Sequence, residues 1–265
     1  MKPEISIASY SFHGLMRIGA MSLFQYFETV KYRYRLDTAD IWNMMLTSYD
    51  DKYLKILKMM MDDQGLTLMN LCCDGCHIWG DTSDERAKTQ AVAEDCLRAA
   101  QILGAKTVRI DLGIREAIAT DAQIEYCAGV YDEYCAIAAR FDAKLGPENH
   151  WGASTNLPEL RKLFQAVKAP NFGLLLHLGN WQQSQDNSLE AQIKNDNEFA
   201  PKAMHTHVMY EVCEQAETRL PQLLEAGYKG CIGVESHKST NEYRNVAHQL
   251  AQVRRVLFPF NYLDV

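Results

Sequence analysis

This chain has no basic excess. Its 27 lysines and arginines are outnumbered by 34 aspartates and glutamates, for a net charge of -7. Proteins that track nucleic-acid phosphates carry a basic face or stripe, so the expected partner is a small neutral molecule and not a nucleic acid. A long hydrophobic run is also missing: no apolar stretch approaches a membrane span, and "MKPEISIASYSF" lacks the h-region of a signal peptide. A soluble, cytoplasmic protein without a membrane partner is expected. There is no Pro/Ser-rich linker and no low-complexity stretch, so residues 1–265 read as one domain, and 47% hydrophobic residues are enough to bury one large core. Cysteine is not scarce, but the eight are scattered through helix-like and strand-like segments and read as reduced core residues. "CCDGC" holds one C-x-x-C, Cys73 to Cys76, with no second pair at zinc-ribbon spacing and no thioredoxin context. It reads as the end of a strand.

What is present is an alternation. Short apolar or period-two runs predict strands at 5–10, 36–42, 66–73, 105–111, 143–148, 172–177, 202–208 and 230–235. Helical patterns follow near 20–32, 50–64, 84–103, 121–140, 156–168, 187–199, 215–226 and 241–257, several closed by a glycine, as in "DDQGLTL" and "QILGAKT". Eight strands, each followed by a helix, are the count of an α/β fold of the single (β/α)8 TIM-barrel type, in which the loops after the strands' C-terminal ends build the active site.

The histidines and tryptophans collect on that face. His13 follows strand 1, His77 strand 3, His150 strand 5 and His237 strand 8; His177 ends strand 6, and His205 and His207 lie in strand 7. Trp42, Trp79, Trp151 and Trp181 all fall at or just past strand ends. Strands 5 to 8 each deliver a potential ligand there: Glu148 from "GPENHWG", then His177, His207 and Glu235. Two imidazoles and two carboxylates suit one Mn²⁺, Co²⁺, Zn²⁺ or Fe²⁺ ion, with Mn²⁺ first, whereas Ca²⁺ or Mg²⁺ would favour all-oxygen shells. Any one of them alone would more often be a hydrogen-bonded core histidine or a solvated glutamate; four on adjacent strands favour function.

"ENHWG", "HLGNW", "HTHV" and "GYKGCIGVES" resemble the motifs of the xylose isomerase-like TIM-barrel superfamily, which holds sugar isomerases and 3-epimerases, hydroxypyruvate isomerase, inosose dehydratase and endonuclease IV. The resemblance spans the chain and is most specific in its second half, where it is nearest to bacterial proteins of the sugar phosphate isomerase/epimerase type. It implies one divalent metal on Glu148, His177, His207 and Glu235. It also implies that Glu148 and Glu235 exchange protons with the substrate next to a chelated carbonyl, through an enediolate. Two features depart from the family pattern. Many relatives have aspartate where His177 stands, which leans this site toward softer ions, and a Lys-Asp pair where Met209 and Tyr210 stand.

Around the ligands, the E-x-H spacing of Glu148/His150 and Glu235/His237 places both histidines toward substrate if the extended backbone continues. His13, His77 and the four tryptophans are further candidate substrate contacts, the tryptophans as apolar walls for a sugar ring or as cover for the barrel mouth. His205, two residues before His207, is expected one layer deeper, with Asn180, behind the ligands. Arg109 and Asp111 share a face of strand 4, as Asp40 and Trp42 do on strand 2, and a buried ion pair is the plain reading for the charged members. The segment after strand 7 has no glycine-rich turn, and only Lys238, Ser239 and Thr240 follow strand 8, so an unphosphorylated sugar fits better than a phosphate ester. Three further readings stand beside the isomerase or epimerase. One is a lyase or dehydratase that eliminates across a 3-keto sugar, cyclitol or glycoside, with His150 or His237 as acid. A second is a non-catalytic sugar-binding barrel, and the least favoured is a DNA-repair nuclease. The tail "FPFNYLDV" could cover the barrel or join two copies, which leaves a homo-oligomer open.

Overall fold

The computed structural model describes residues 3–258. All eight expected strands form: β1 (Ile5–Ile7), β2 (Thr38–Trp42), β3 (Thr67–Cys73), β4 (Thr107–Ile110), β5 (Lys144–Gly146), β6 (Leu174–His177), β7 (Ala203–Met209) and β8 (Cys231–Glu235). They are parallel, in the orders β1-β8-β7-β6 and β2-β3-β4-β5. Isolated bridges Ala8 to Asp40 and Glu148 to Leu175 join the two halves, so the wall closes into a TIM barrel. A helix follows each strand: α1 (Leu23–Glu28), α2 (Asp51–Asp63), α3 (Ser83–Leu103), α4 (Asp121–Ala138), α5 (Leu157–Ala166), α6 (Leu189–Phe199), α7 (Ala216–Glu225) and α8 (Glu242–Leu257).

Local chemistry sets these boundaries. Thr82 and Thr120 begin α3 and α4 with reciprocal capping boxes to Glu85 and Gln123, and Gly104, at φ +74°, ends α3 in the left-handed conformation. The largest difference from expectation lies after β1, where residues 8–10 leave the strand. Ser9–Phe12 winds into a tight helical turn and His13–Arg17 into a short helix. The Ser9 hydroxyl there accepts the Trp42 backbone N–H at 2.8 Å and ties the turn to the end of β2. Between β5 and β6, Gly146 is required by close approach, since a Cβ there would lie 1.7 Å from the Gly173 carbonyl oxygen.

The apolar core lies between the strands' outer faces and the helices, with Ile7, Ile41, Leu71, Val108, Leu145, Leu176, Ile232 and Val234 nearly inaccessible. The barrel interior is different: Asp40, Asn70, Arg109, Glu148, His177, His205, His207 and Glu235 are all buried there. A polar interior costs free energy unless its groups are paired, and this one stacks toward the C-terminal mouth. The tail at 258–265, apart from Phe258, lies outside the described residues, as does any role for it.

Candidate metal centre

Glu148, His177, His207 and Glu235 meet at the C-terminal mouth, each offering one ligand atom, all within 4.8 Å of one another and all buried. Their placement follows from strand direction: β5 delivers Glu148 just past its end, β6 ends at His177, β7 carries His207 and β8 ends at Glu235. Glu148 is the hub. Its Oε1 accepts from His177 Nδ1 at 2.8 Å and His207 Nδ1 at 3.1 Å, and its Oε2 faces Arg109 Nε at 3.3 Å. His207 Nδ1 also lies 3.3 Å from Glu235 Oε2, which is 3.1 Å from His237 Nε2.

The field of this cluster calls for positive charge. Burial alone would push the Glu148 carboxyl up, yet the imidazoles of His207, His150 and His177 hold it well below the usual range. Glu235 is likewise held at about 2, against burial, by His207 and His237. Burial would push His207 down, but Glu235 and Glu148 carry it well above an ordinary histidine. A proton on His207 thus occupies a place in the charge balance that a cation would take. His177 Nε2 is buried without a hydrogen-bond partner, an orphaned donor atom that a metal ion would satisfy. Two nitrogens and two carboxylates fit one divalent transition-metal ion.

A cavity of about 200 Å³ opens beside the cluster, lined by Tyr10, Trp42, Asp74, Arg109, His150 and His237 together with Glu148 and Glu235. A wider recess at the opposite end of the barrel, lined by Lys106, Lys144 and Lys229, contains none of the clusters of potential metal ligands found among the described residues. On the cavity floor Arg109 Nη1 reaches Asp74 at 2.7 Å and Asp111 at 3.0 Å. The ion pair read from "TVRID" is therefore present, and it extends to Asp74 and Glu148. His150 Nδ1 lies 2.9 Å from Asp111 Oδ2. Burial opposes a charge on His150, but Glu148 and Asp111 raise it to about 9. The Trp42 indole N–H donates to Asp74 at 2.7 Å.

Among known proteins, the family model described as xylose isomerase-like TIM barrel matches residues 24–212. The chain belongs to this family. A search of curated proteins finds no match for this xylose isomerase-like barrel, but solved structures share its fold. D-psicose 3-epimerase from Clostridium cellulolyticum, with D-tagatose, is 16% identical at a TM-score of 0.70, over 96% of this chain and 99% of that one. The 3-keto-D-glucoside 4-epimerase from E. coli is 15% identical at 0.74, over 96% and 99%. A structure described as the probable 3-DHS dehydratase from Bacillus anthracis is 12% identical at 0.69, over 97% and 100%. At these identities the likeness shows the fold alone.

Within the barrel, the remaining expected site residues divide. Trp42, His150 and His237 line the cavity. Trp181 does not: it is 1% exposed, packs against Phe199 and donates its indole N–H to Asp196 at 2.8 Å, so it has no face for a substrate. His13 stacks on Tyr10 at 4.4 Å and binds the Tyr10 carbonyl at 2.7 Å, backing the wall instead of forming it. His77 meets Trp151 edge-on at 6.1 Å, and Trp79 lies against Arg86 and Tyr126; none of these three lines the cavity. Behind the ligands, His205 bonds Asp40 at 2.9 Å and touches no ligand side chain through a hydrogen bond. Asn180 instead holds the loop after β5, donating to the carbonyls of Asn149 and His150 at 2.7 and 3.0 Å. Asn149 then clamps the His177 backbone through its N–H (2.7 Å) and its carbonyl (2.9 Å).

Tyr10 and Asp74 also line the cavity, and neither is among the residues expected there from the sequence. Tyr10 fell inside the run read as strand 1, although its position just before the loop marked by His13 was a usable signal. Asp74 follows β3 directly, where a carboxylate at a strand's C-terminal end reads as functional in a barrel.

Proposed function

We propose that this xylose isomerase-like barrel is a divalent-metal-dependent isomerase or 3-epimerase of a small, unphosphorylated sugar. The observation that supports it best is the buried quartet Glu148, His177, His207 and Glu235 beside a cavity of about 200 Å³. Held by these four residues, a divalent ion supplies a Lewis acid for the carbonyl and adjacent hydroxyl of the sugar. Glu148 and Glu235 stay ionised at neutral pH, the state in which a carboxylate accepts a proton, and they come from strands three apart around the wall, so they reach the cavity from different sides. Exchange by both glutamates inverts a carbon; exchange by one moves the carbonyl. Trp42 and Tyr10 supply apolar faces, and the Asp74 carboxylate that receives the Trp42 indole fixes that wall.

The unphosphorylated reading draws support from the cations around the cavity, which already have partners. Arg109 is consumed by Asp74, Asp111 and Glu148, and Lys238 lies on the Tyr210 ring at 3.4 Å with Glu211 3.6 Å away. An anionic ester would have to compete with these carboxylates for their cations, and with Asp111 for His150. A second reading, elimination, draws support from the Asp111–His150 pair, which places a proton carrier in the cavity besides the two glutamates.

The test is incubation of the metal-loaded protein with keto and aldo sugars in deuterated water, beside Glu148→Gln and Glu235→Gln. Deuterium entering the carbon next to the carbonyl, with turnover abolished in both folded variants, is the expected result. Near wild-type turnover in either variant would overturn the two-carboxylate mechanism, and a dehydrated product would establish the elimination.

A further inference from the structure

The C-x-x-C at the end of β3 does not stand alone in the folded chain. Gly75, at φ +76° in the left-handed region that glycine tolerates, turns the backbone so that Cys76 comes back over Cys73, with its thiol donating to the Cys73 carbonyl at 3.4 Å. Helix α3 brings the buried Cys96 onto this turn. The sulphurs of Cys73, Cys76 and Cys96 lie within 4.8 Å of one another, all buried. Two polar groups converge on the third sulphur: Asn43 Nδ2 at 3.6 Å and the Tyr49 hydroxyl at 3.5 Å. Asn43 is itself pinned, accepting the Asp74 N–H at 2.8 Å and donating to the Asp74 carbonyl and the Tyr49 hydroxyl at 3.0 Å each.

We propose that Cys73, Cys76 and Cys96 form a second metal site, a trithiolate site for a thiophilic d¹⁰ ion, Zn²⁺ or Cu⁺, separate from the Glu/His cluster. Thiolates select such soft ions. With metal–sulphur bonds of about 2.3 Å, three sulphurs on one ion stand roughly 3.7–4.0 Å apart, within the span already found here. Binding forms three metal–sulphur bonds and releases the thiol protons to solvent, with no change of oxidation state. Asn43 donates to the Cys96 sulphur from outside, as hydrogen-bond donors around bound ligands do. Three sulphurs complete a trigonal Cu⁺ site; for Zn²⁺, the Tyr49 oxygen is an available fourth donor. The consequence reaches the cavity, because Asp74, which holds both Arg109 and Trp42, lies inside the C-x-x-C turn that the ion would lock.

The test uses reduced, chelator-stripped full-length protein under anaerobic conditions, titrated with Co²⁺ as a reporter for Zn²⁺ and separately with Cu⁺. The expected result is a near-ultraviolet thiolate-to-metal charge-transfer band in the wild type that persists in His207→Ala and is lost in Cys96→Ser and Cys76→Ser. Cys72 needs its own control, since its sulphur lies 3.9 Å from His207 Nε2 and could touch an ion in the other site; the band must survive Cys72→Ser. Absence of the band in the wild type with both ions overturns the proposal without reference to any variant. Loss of the band in Cys72→Ser does so too, by assigning it to the Glu/His cluster. If serine at position 76 or 96 prevents folding, the wild-type, His207→Ala and folded Cys72→Ser spectra still decide.

Discussion

Arg109→Met tests the charge balance on which the site depends. The guanidinium is buried and faces Asp74 at 2.7 Å, Asp111 at 3.0 Å and Glu148 at 3.3 Å. With charge centres about 4 Å apart and an effective dielectric near 20, each pair is worth roughly 4 kcal/mol, or about 12 kcal/mol gross. Desolvating the guanidinium offsets several kcal/mol, and Asp74, whose side chain is 39% exposed, counts for less. Methionine fills similar volume but removes the guanidinium shared by the buried Asp111 and Glu148 carboxylates, which then keep only imidazole partners, a loss of about 3–5 kcal/mol. Urea unfolding of the metal-free protein near neutral pH reads it directly. The pH dependence has a definite sign. Burial would raise the Asp74 carboxyl, but Arg109 and the Trp42 indole hold it below its ordinary value. Depressed carboxyls contribute stability that is present above their unfolded pKa and lost as pH falls. Without Arg109 part of that contribution is gone at neutral pH already, so the gap between variant and wild type should narrow as pH falls below about 4. Divalent metal, restoring positive charge beside Glu148, should narrow it as well. A variant within about 1 kcal/mol of wild type at neutral pH, metal-free, would refute the reasoning.

Elemental analysis of protein loaded with Mn²⁺ or Co²⁺ should find the Glu/His ion in the wild type and its loss in His177→Ala and His207→Ala, with affinity down by at least about 100-fold. Because the metal-free His207 is held protonated by Glu235 and Glu148, loading must expel a proton, so the apparent metal affinity measured by competition with a chelator should fall as pH is lowered. Trp42→Phe keeps an apolar wall but removes the indole donor to Asp74; KM for the sugar should rise several-fold with kcat nearly kept, a split that steady-state kinetics reads. Asp196→Ala strips the acceptor from the Trp181 indole, the Gly179 N–H and the Arg219 guanidinium at once. It should cost about 3–5 kcal/mol in urea unfolding.

Much of this protein was determined locally by the sequence. Strand and helix periods repeat within a few residues, so eight strands and eight helices could be placed from pattern alone, with terminal glycines marking the ends of several. Because every strand is parallel, a polar residue at a strand's C-terminal end must reach the same mouth, and Glu148, His177, His207 and Glu235 could be named as a set before any coordinates. The tertiary structure decided what depends on closure of the barrel. Trp181 and Trp42 occupy equivalent places in the pattern, yet one is sealed beneath α6 with Asp196 and the other faces the cavity. Arg109 could be expected to pair with Asp111, its neighbour on one strand, but not with Asp74 from the strand beside it or Glu148 from the next. Cys96 lies 20 residues from Cys76 and joins it only because α3 folds back along β3. Period shows which way a side chain leaves its own element; which groups share a buried volume, and so which charges must balance, depends on distances between elements that only the closed barrel sets.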